Sequence, residues 1–325
     1  MGYRIGVDVG GTKILILLCR EDGAILESRK FASKADKGPR KVMDLICRNL
    51  EEILRQQSIS WEEVDGLGIC VAGFYHMPTG RIISSPNMPG WEGISLTENL
   101  GPILHVPLLV ENDVNAAAYG EYLFGAGRGK NNILLFTMGT GIGGGLVVNG
   151  SIFRGSAGFA GEIGHLPVLP GGPLCGCGRR GCLEALSSGA AIAREGRKLF
   201  RENRAGILHE MVKNEEDLEA PHIFKAAEQG DEGALKIIDR AAYYLGLALA
   251  AAVNLLNPDV IIAGGGMSQG GHLILTPAES YLRQAAVKPA VEEVEIVPAV
   301  LGEKAGAWGM LGLLLPTNEK MGDCL

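Results

Sequence analysis

The sequence predicts a duplicated α/β fold with two domains around a cleft, and three observations support this prediction. A glycine turn between two apolar runs begins near the N-terminus, and a second turn of the same kind begins at Gly139. Segments typical of strands alternate with segments of helical spacing. At 325 residues the chain also exceeds the size at which one hydrophobic core stops growing.

The first glycine turn, Asp8-Val9-Gly10-Gly11-Thr12-Lys13, is typical of a phosphate-binding hairpin. Gly10 and Gly11 let backbone N–H groups converge on an anion without a Cβ in the way. Thr12 adds a hydroxyl donor and Lys13 a positive charge, while Asp8 is suited to hold Mg²⁺ through water. An ordinary glycine-rich hairpin is the alternative interpretation.

A strand, rather than a helix, follows this turn. P-loops and dinucleotide-binding turns both lead into helices, so neither motif fits. The strand-turn-strand order resembles the phosphate-binding hairpin of the actin-like (ribonuclease H-like) superfamily, which includes sugar kinases and chaperone ATPases. The second turn, Gly139-Thr140-Gly141, repeats this order. Two such hairpins facing each other across the cleft would hold a triphosphate from both sides, which predicts ATP as a ligand.

Composition and charge exclude several classes of protein. The net charge is -7 and no stripe of Lys and Arg is present, which argues against nucleic acid as a partner. No signal peptide precedes the first strand, so a cytoplasmic location is expected. The longest apolar stretch, from Ala241 to Leu256, is shorter than the roughly 20 residues of a membrane span. We predict that it is a buried helix and that the protein has no membrane partner.

Two predicted strands end in polar or glycine residues. An amphipathic helix is expected from Val42 to about Gln57, followed by a strand from Val64 to Ala72 that ends in Gly73. A second strand, from Pro107 to Val110, leads through Glu111, Asn112 and Asp113 into a helix. Because ligands bind beyond the carboxyl ends of strands in open α/β sheets, Gly73, Asn112 and Asp113 are candidates for one site.

The second half of the chain repeats this plan. A helical region is predicted from Ala190 to Gln229, and the buried Ala/Leu helix stops at Asn257-Pro258. The strand 260–263 then runs into Gly264-Gly265-Gly266, ahead of a helix from about Leu273. Such a turn suits the close approach of an adenosine or a sugar phosphate. A tight packing turn is the alternative.

Three of the seven cysteines lie close together, as Cys175, Cys177 and Cys182, with His165 upstream. Three thiolates and one imidazole make a closed tetrahedral zinc site, which favours a structural ion over a catalytic one. A disulfide is the alternative. The remaining cysteines, Cys19, Cys47, Cys70 and Cys324, receive no chemical role.

Two glutamates flank this cluster. Glu162 is three residues before His165, so on a helical turn the two would share a face, and Glu184 is two residues beyond Cys182. A zinc ion would order this region and could orient His165 toward a substrate. Solvated surface carboxylates are the alternative interpretation for both glutamates.

Taken together, these motifs resemble the ROK family of sugar kinases and sugar-responsive repressors over nearly the whole chain. They are Asp8-x-Gly10-Gly11-Thr12-Lys13, Glu111-Asn112-Asp113, Gly139-Thr140-Gly141-x-Gly143-Gly144-Gly145, Glu162-x-Gly164-His165 and Cys175-x-Cys177-Gly178-x-x-Gly181-Cys182-x-Glu184. The resemblance is greatest to bacterial ATP-dependent glucokinases. It implies transfer of the γ-phosphoryl group of ATP to the 6-hydroxyl of glucose, usually by a homodimer or larger homo-oligomer.

The resemblance also implies a role for each matching residue. Asp113 is the catalytic base. The expected sugar ligands are Gly73, Asn87, Asn112, Asp113, Glu162, His165 and Glu184. The expected ligands of Mg-ATP are Asp8, Gly10, Gly11, Thr12, Lys13, Thr140, Gly141, Gly265 and Gly266. The expected structural zinc ligands are His165, Cys175, Cys177 and Cys182. A smaller α/β domain is expected over 1–117 with about 305–325, and a larger domain with the zinc-binding loop over 118–304.

Three alternatives remain at this point. Kinases for N-acetylmannosamine or another hexose share most of these residues, so the sugar is open. A sugar-sensing repressor is disfavoured because the seven residues before Asp8 cannot form a DNA-binding domain, and because the nucleotide turn is intact. A filament-forming or chaperone ATPase would have the hairpins but no use for the cysteine loop.

Overall fold

The computed structural model describes residues 2–202, 206–267 and 271–315. Its strands are β1 (Tyr3–Val9), β2 (Lys13–Arg20), β3 (Ile25–Ala32), β4 (Val64–Val71), β5 (Phe74–His76), β6 (Arg81–Ser84), β7 (Leu108–Asn112), β8 (Ile133–Met138), β9 (Ile142–Val148), β10 (Ser151–Ile152), β11 (Val260–Gly264) and β12 (Glu295–Pro298). Its helices are α1 (Pro39–Gln57), α2 (Leu96–Leu104), α3 (Asp113–Phe124), α4 (Glu184–Ser187), α5 (Gly189–Arg201), α6 (Leu208–Met211), α7 (Ala220–Glu228), α8 (Glu232–Leu256), α9 (Gly271–Ala285), α10 (Lys288–Glu292) and α11 (Ala305–Leu314).

Two five-stranded sheets share one strand order. The first is β3-β2-β1-β4-β7 and the second is β10-β9-β8-β11-β12. In the first sheet β1 is antiparallel to β2 and parallel to β4, and β4 is parallel to β7. In the second, β9 is antiparallel to β10 and β11 is parallel to β12. The duplication predicted from the two glycine turns is therefore present in the structure.

The chain divides into two compact units, Met1–Ile133 with Gly145–Gly161 and Ala299–Leu325, and Leu134–Gly144 with Glu162–Pro298. In the first unit, α1 and α2 contribute to a core with β1, β2 and β4. Helices α3 and α11 cross closely in this unit, since a Cβ on Gly309 would lie 1.7 Å from the Ala116 carbonyl oxygen. This crossing fixes α3, whose first residue is Asp113.

The long helix α8 organises the second unit, where it packs against α4, α5, α7 and α9. A Cβ on Gly246 would lie 2.5 Å from the Tyr281 Cβ, so α8 and α9 are in close contact at this glycine. Ser187 Oγ donates a hydrogen bond to the Ala241 carbonyl oxygen at 2.8 Å. None of the helices in the described ranges has both the length and the apolar character needed to cross a bilayer.

The structure corrects several predicted bounds. β7 continues through Asn112, so Asp113 is the first residue of α3. The helical region predicted from Ala190 to Gln229 is divided among α5, α6 and α7, and α8 begins at Glu232 rather than near Ala241. The predicted domain boundaries stay a prediction. Cys324 lies outside the described residues, as do positions 316–325 of the domain segment predicted over about 305–325.

Candidate active site

The first hairpin turn has a defined backbone geometry. The Gly10 N–H donates to the Lys13 carbonyl oxygen at 3.0 Å. Ser33, which is fully buried, donates from Oγ to the Gly11 carbonyl oxygen at 2.7 Å and from its N–H to the Thr12 carbonyl oxygen at 3.0 Å. The turn is therefore held from the end of β3, and the Thr12 side chain is exposed.

Asn87 lies against this turn. A Cβ on Gly11 would be 2.6 Å from the Asn87 carbonyl oxygen and 3.0 Å from its Cβ. Only glycine allows this approach without a shift of the backbone. The structure thus brings Asn87, an exposed predicted sugar ligand, next to a predicted ATP ligand.

Lys13 takes part in a charge cluster that the sequence did not reveal. Its Nζ lies 2.5 Å from a Glu303 carboxylate oxygen, and Lys30 Nζ lies 2.8 Å from the same oxygen. Hydrogen bonds from the two lysines lower the pKa of Glu303 to about 2. Lys13 is therefore held by a carboxylate that remains ionised across the physiological pH range.

Asp8 lies near the end of β1, paired in register with Cys70 of β4. Burial raises the pKa of Asp8 to about 6, against the opposing effects of a hydrogen bond with Cys70 and the charge of Lys13. A Cβ on Gly306 would lie 2.9 Å from both Asp8 Oδ2 and Cys70 Sγ. α11 thus closes over this carboxylate and restricts its access to water.

Asn112 connects Gly73 to Asp113. Its Oδ1 caps α3 by accepting from the N–H groups of Val114 and Asn115 at 2.9 and 3.0 Å. Its Nδ2 donates to the Gly73 carbonyl oxygen at 2.9 Å and to Asp113 Oδ1 at 3.1 Å. The structure therefore brings together the three residues predicted to share a site, with Asp113 half-buried at the helix N-terminus.

Gly73 has a conformation that favours glycine. Its φ is +123°, and a Cβ there would lie 2.5 Å from the Ser84 carbonyl oxygen. Any other residue would be strained at this φ and would approach Ser84 too closely, so the position suits glycine. In this conformation the Gly73 carbonyl oxygen accepts from Asn112 Nδ2.

The second hairpin turn is bound by α5 and by Glu184. The Gly139 N–H donates to the Gly141 carbonyl oxygen at 3.0 Å, and the Gly189 N–H donates to the Gly139 carbonyl oxygen at 2.9 Å. Glu184 Oε2 accepts from the Ile142 N–H at 3.0 Å. Gly141 lies against the same carboxylate, since a Cβ there would be 2.5 Å from Glu184 Oε2.

A cavity of about 780 Å³ opens beside this turn. Its lining includes Thr140 and Gly266 from the predicted ATP set, with Arg197 of α5 and Phe224 and Lys225 of α7. Gly265 has a φ of +85°, and a Cβ there would lie 2.3 Å from the Met138 carbonyl oxygen, so the third glycine turn packs on the end of β8. The helical residues lining this cavity were missed from sequence.

The cysteine loop gathers the four predicted zinc ligands. One ligand atom from each of His165, Cys175, Cys177 and Cys182 lies within 4.8 Å of the others. Cys175 Sγ is 3.6 Å from His165 Nδ1, and Cys177 Sγ is 3.7 Å from Cys182 Sγ. Tetrahedral ligands about 2.3 Å from zinc lie about 3.8 Å apart, so the donor set fits the ion. The sulfur separation is too long for a disulfide between Cys177 and Cys182.

Glu162 and Glu184 adjoin this loop. Burial, followed by the charge of Glu184, raises the pKa of Glu162 to about 7. Glu184 Oε1 lies 3.6 Å from Cys175 Sγ while its other oxygen holds the hairpin turn. Neither glutamate is fully solvated, and Glu184 connects the cysteine loop to Ile142.

Gly164 packs directly against β9, which leads to a prediction about stability. A Cβ on Gly164 would lie 2.0 Å from the Ile142 carbonyl oxygen, so Gly164→Ala must shift backbone. We expect the melting temperature to fall by about 2 to 8 °C, because overpacking costs about 1–3 kcal/mol. Gly176→Ala is the control, since its Cβ would have no neighbour within 4 Å. Equal melting temperatures for the two variants would contradict the close packing.

The sequence profile of the ROK family matches residues 4–316. The chain belongs to the ROK family. It is 36% identical over 318 residues to a glucokinase of Thermotoga maritima, covering 98% of both chains. It is 29% identical over 314 residues to the xylose repressor of Bacillus subtilis, covering 97% of this chain and 77% of the repressor.

Solved structures agree with this membership. The crystal structure of a ROK family glucokinase from Streptomyces griseus, in complex with glucose and AMPPNP, matches with a TM-score of 0.78 and 35% identity. The match covers 96% of this chain and 99% of that one. The predicted family and the actin-like (ribonuclease H-like) α/β fold are confirmed. The ROK family contains both enzymes and repressors, so the site must decide between these functions.

Proposed function

We propose that this ROK protein is an ATP-dependent hexokinase that transfers the γ-phosphoryl group of ATP to the 6-hydroxyl of glucose. The hydrogen-bonded arrangement of Gly73, Asn112 and Asp113 carries this proposal, because it places a carboxylate beside two polar groups suited to sugar hydroxyls. The similarity to glucokinases over nearly the full length supports glucose as the acceptor.

In this proposal the site residues are divided between sugar and nucleotide, with Asp113 both a sugar ligand and the base, and His165 both a sugar ligand and a zinc ligand. The sugar hydroxyls are bound by Gly73, Asn87, Asn112, Asp113, Glu162, His165 and Glu184. Asp113 orients the 6-hydroxyl and accepts its proton as the bond from O6 to phosphorus forms and the bond from phosphorus to the bridging oxygen breaks, which releases ADP. A loose transition state needs little nucleophilic push, so alignment and charge neutralisation supply most of the rate.

The nucleotide is bound by the glycine turns. Phosphate ligands are Gly10, Gly11, Thr12, Lys13, Thr140 and Gly141, while Gly265 and Gly266 lie near the nucleoside. The 780 Å³ cavity next to Thr140 supports this placement, since it offers Phe224 as an apolar wall and the cations Arg197 and Lys225. Bound Mg²⁺ would neutralise developing phosphate charge, and Asp8 is the carboxylate suited to hold it.

Structural zinc is proposed for His165, Cys175, Cys177 and Cys182. Burial raises the pKa of the Cys175 thiol to about 12, so a thiolate there needs a compensating cation. Zinc would fix the loop that carries His165 and adjoins Glu184. A homo-oligomer, a cytoplasmic location and the absence of a nucleic-acid partner stay predictions from the sequence.

A coupled ADP-release assay tests the proposed function. Glucose, mannose, fructose, allose, N-acetylglucosamine and N-acetylmannosamine are compared with Mg-ATP as donor. We expect kcat/KM for glucose to exceed that of every other sugar by at least about tenfold, since unpaired polar groups in a pocket penalise the wrong sugar. A preference for another hexose would replace glucose as the substrate. Sugar binding without turnover would instead indicate a sensor.

Asp8 predicts a pH dependence of nucleotide binding. Its pKa of about 6 means that the carboxylate becomes protonated as the pH falls below this value, which removes the charge that attracts Mg²⁺. We expect the Kd for Mg-ATP to rise about fivefold from pH 6 to pH 5, and to approach a tenfold rise per pH unit only well below pH 6, as one titrating group requires. Calorimetry from pH 5 to 8 measures this. Asp8→Asn should bind weakly at every pH, and a variant that keeps the wild-type profile would contradict the assignment.

A further inference from the structure

Glu111 is a buried carboxylate at the junction of β7 and α3. Only 2% of the residue is exposed. Its Oε1 accepts from the Asn112 N–H at 2.9 Å and from Asn115 Nδ2 at 3.2 Å. Its Oε2 accepts from Arg154 Nε at 2.6 Å. Both oxygens are therefore occupied by donors, and one of these donors is the backbone of the residue immediately before Asp113.

Arg154 belongs to a segment that is itself anchored. The segment follows β10, and the Phe153 N–H donates to the Leu146 carbonyl oxygen at 2.8 Å. The Ala160 N–H donates to the Arg154 carbonyl oxygen at 3.2 Å, and the Met77 N–H donates to the Ala157 carbonyl oxygen at 3.1 Å. The backbone that carries Arg154 is therefore held in place by hydrogen bonds of a folded loop.

We propose that Glu111 and Arg154 are a positioning pair that sets the orientation of Asp113. The inference rests on the proposed kinase function, in which Asp113 must be aligned with the acceptor hydroxyl. Glu111 fixes the backbone at Asn112, and Asn112 contacts both Gly73 and Asp113. Because catalytic geometry tolerates little displacement, a shift at this junction changes turnover more than it changes nucleotide binding.

The hydrogen-bond pattern makes the pair sensitive to an isosteric change. In Glu111→Gln one carboxylate oxygen is replaced by an NH₂ group, which is a donor. In one orientation of the amide this donor faces the Asn112 N–H, and in the other it faces Arg154 Nε, so two donors oppose each other in both. Arg154→Met leaves the buried Glu111 charge without its ionic partner. The double variant removes the unpaired charge and the contact between donors, because the glutamine oxygen accepts from Asn112 while its NH₂ faces the methionine. The amide nitrogen is left without an acceptor, which costs less than a buried unpaired charge.

The test compares steady-state kinetics and melting temperatures of the wild type, Glu111→Gln, Arg154→Met and the double variant. Arg81→Met is the matched control, since it breaks an exposed 2.6 Å ion pair with Glu98 in the same unit. We expect each single variant to lower kcat for glucose phosphorylation by about 10- to 100-fold, with KM for Mg-ATP within about twofold. We expect kcat of the double variant to exceed that of either single variant.

Three results would overturn the positioning role. One is kcat near the wild-type value in both single variants, as in Arg81→Met. Another is a double variant in which the fold-loss in kcat equals the product of the fold-losses of the two single variants, because the two residues would then act independently. The third is a loss of kcat that is accompanied by unfolding at the assay temperature, or by a rise in KM for Mg-ATP of the same fold. If the wild type itself lacked turnover, the proposed function would fail and the pair's role with it.

Discussion

Asp113→Asn is expected to lower kcat by about 10²- to 10⁴-fold, the usual cost of losing a general base. Asn112 Nδ2 donates to Asp113 Oδ1 at 3.1 Å, and an asparagine at this position keeps an oxygen that can accept this bond. The start of α3 should therefore be preserved, and the affinity for glucose should change by only a few fold. Steady-state kinetics and calorimetric titration with glucose measure the two effects separately.

Asp44→Asn serves as the control for this substitution. Asp44 is an exposed carboxylate on α1, so its replacement removes the same charge at a position outside the candidate site. If kcat is normal in Asp44→Asn and reduced in Asp113→Asn, the reduction is due to the place of Asp113 in the site and not to the loss of one negative charge. Near-normal turnover in Asp113→Asn would instead remove Asp113 as the base, even if glucose phosphorylation itself were established.

The sequence predicts best those parts of the site that are local in the chain. Asn112 ends β7 and Asp113 begins α3. The hydrogen bonds of Asn112 with Asp113 and with the first turn of α3 join neighbours in sequence, whereas its bond to Gly73 spans 39 positions. The cysteine loop is local in the same way, since Cys175 to Cys182 are eight consecutive residues. Residue type and spacing are therefore enough to predict most of the local structure at these two places.

Contacts between distant segments could not be predicted in this way. Arg154 reaches Glu111 from 43 positions away, and Glu303 reaches Lys13 from 290 positions away. Neither Arg154 nor Glu303 lies in the motifs identified from the sequence, so only the folded topology reveals the pairing. Ser33 is similar, because a single serine after a strand has no pattern that identifies it as the support of a glycine turn.

The helices around the nucleotide cavity illustrate a different limit. Apolar spacing from Ala190 to Gln229 indicates helix throughout, but it does not reveal that α5 ends at Arg201 and that α7 begins at Ala220. Arg197, Phe224 and Lys225 meet at the cavity because these two helices are separate. The meeting of these side chains depends on the contact between α5 and α7, which periodicity does not encode.

Loss of the zinc site is the second large effect that we expect. Cys177→Ser removes one of four donors whose ligand atoms lie within 4.8 Å of one another. Structural zinc sites bind with about 10–16 kcal/mol in small domains, so loss of one thiolate should abolish tight binding and lower the melting temperature by more than about 5 °C. KM for glucose should rise as well, since His165 is both a zinc ligand and a sugar ligand in the proposal. Metal analysis, calorimetry and kinetics measure these changes.

Cys47→Ser is the control that separates the zinc ligand from a general effect of removing a thiol. Cys47 is a partly buried cysteine on α1, outside the cluster of ligand atoms. Wild type and Cys47→Ser should each retain about one zinc per chain, as a single four-ligand site requires, and Cys177→Ser should retain far less. A strong chelator should shift the melting temperature of the first two proteins toward that of Cys177→Ser. Absence of zinc from wild-type protein expressed in zinc-replete medium would contradict the site, because four donors in tetrahedral spacing bind this ion from the medium.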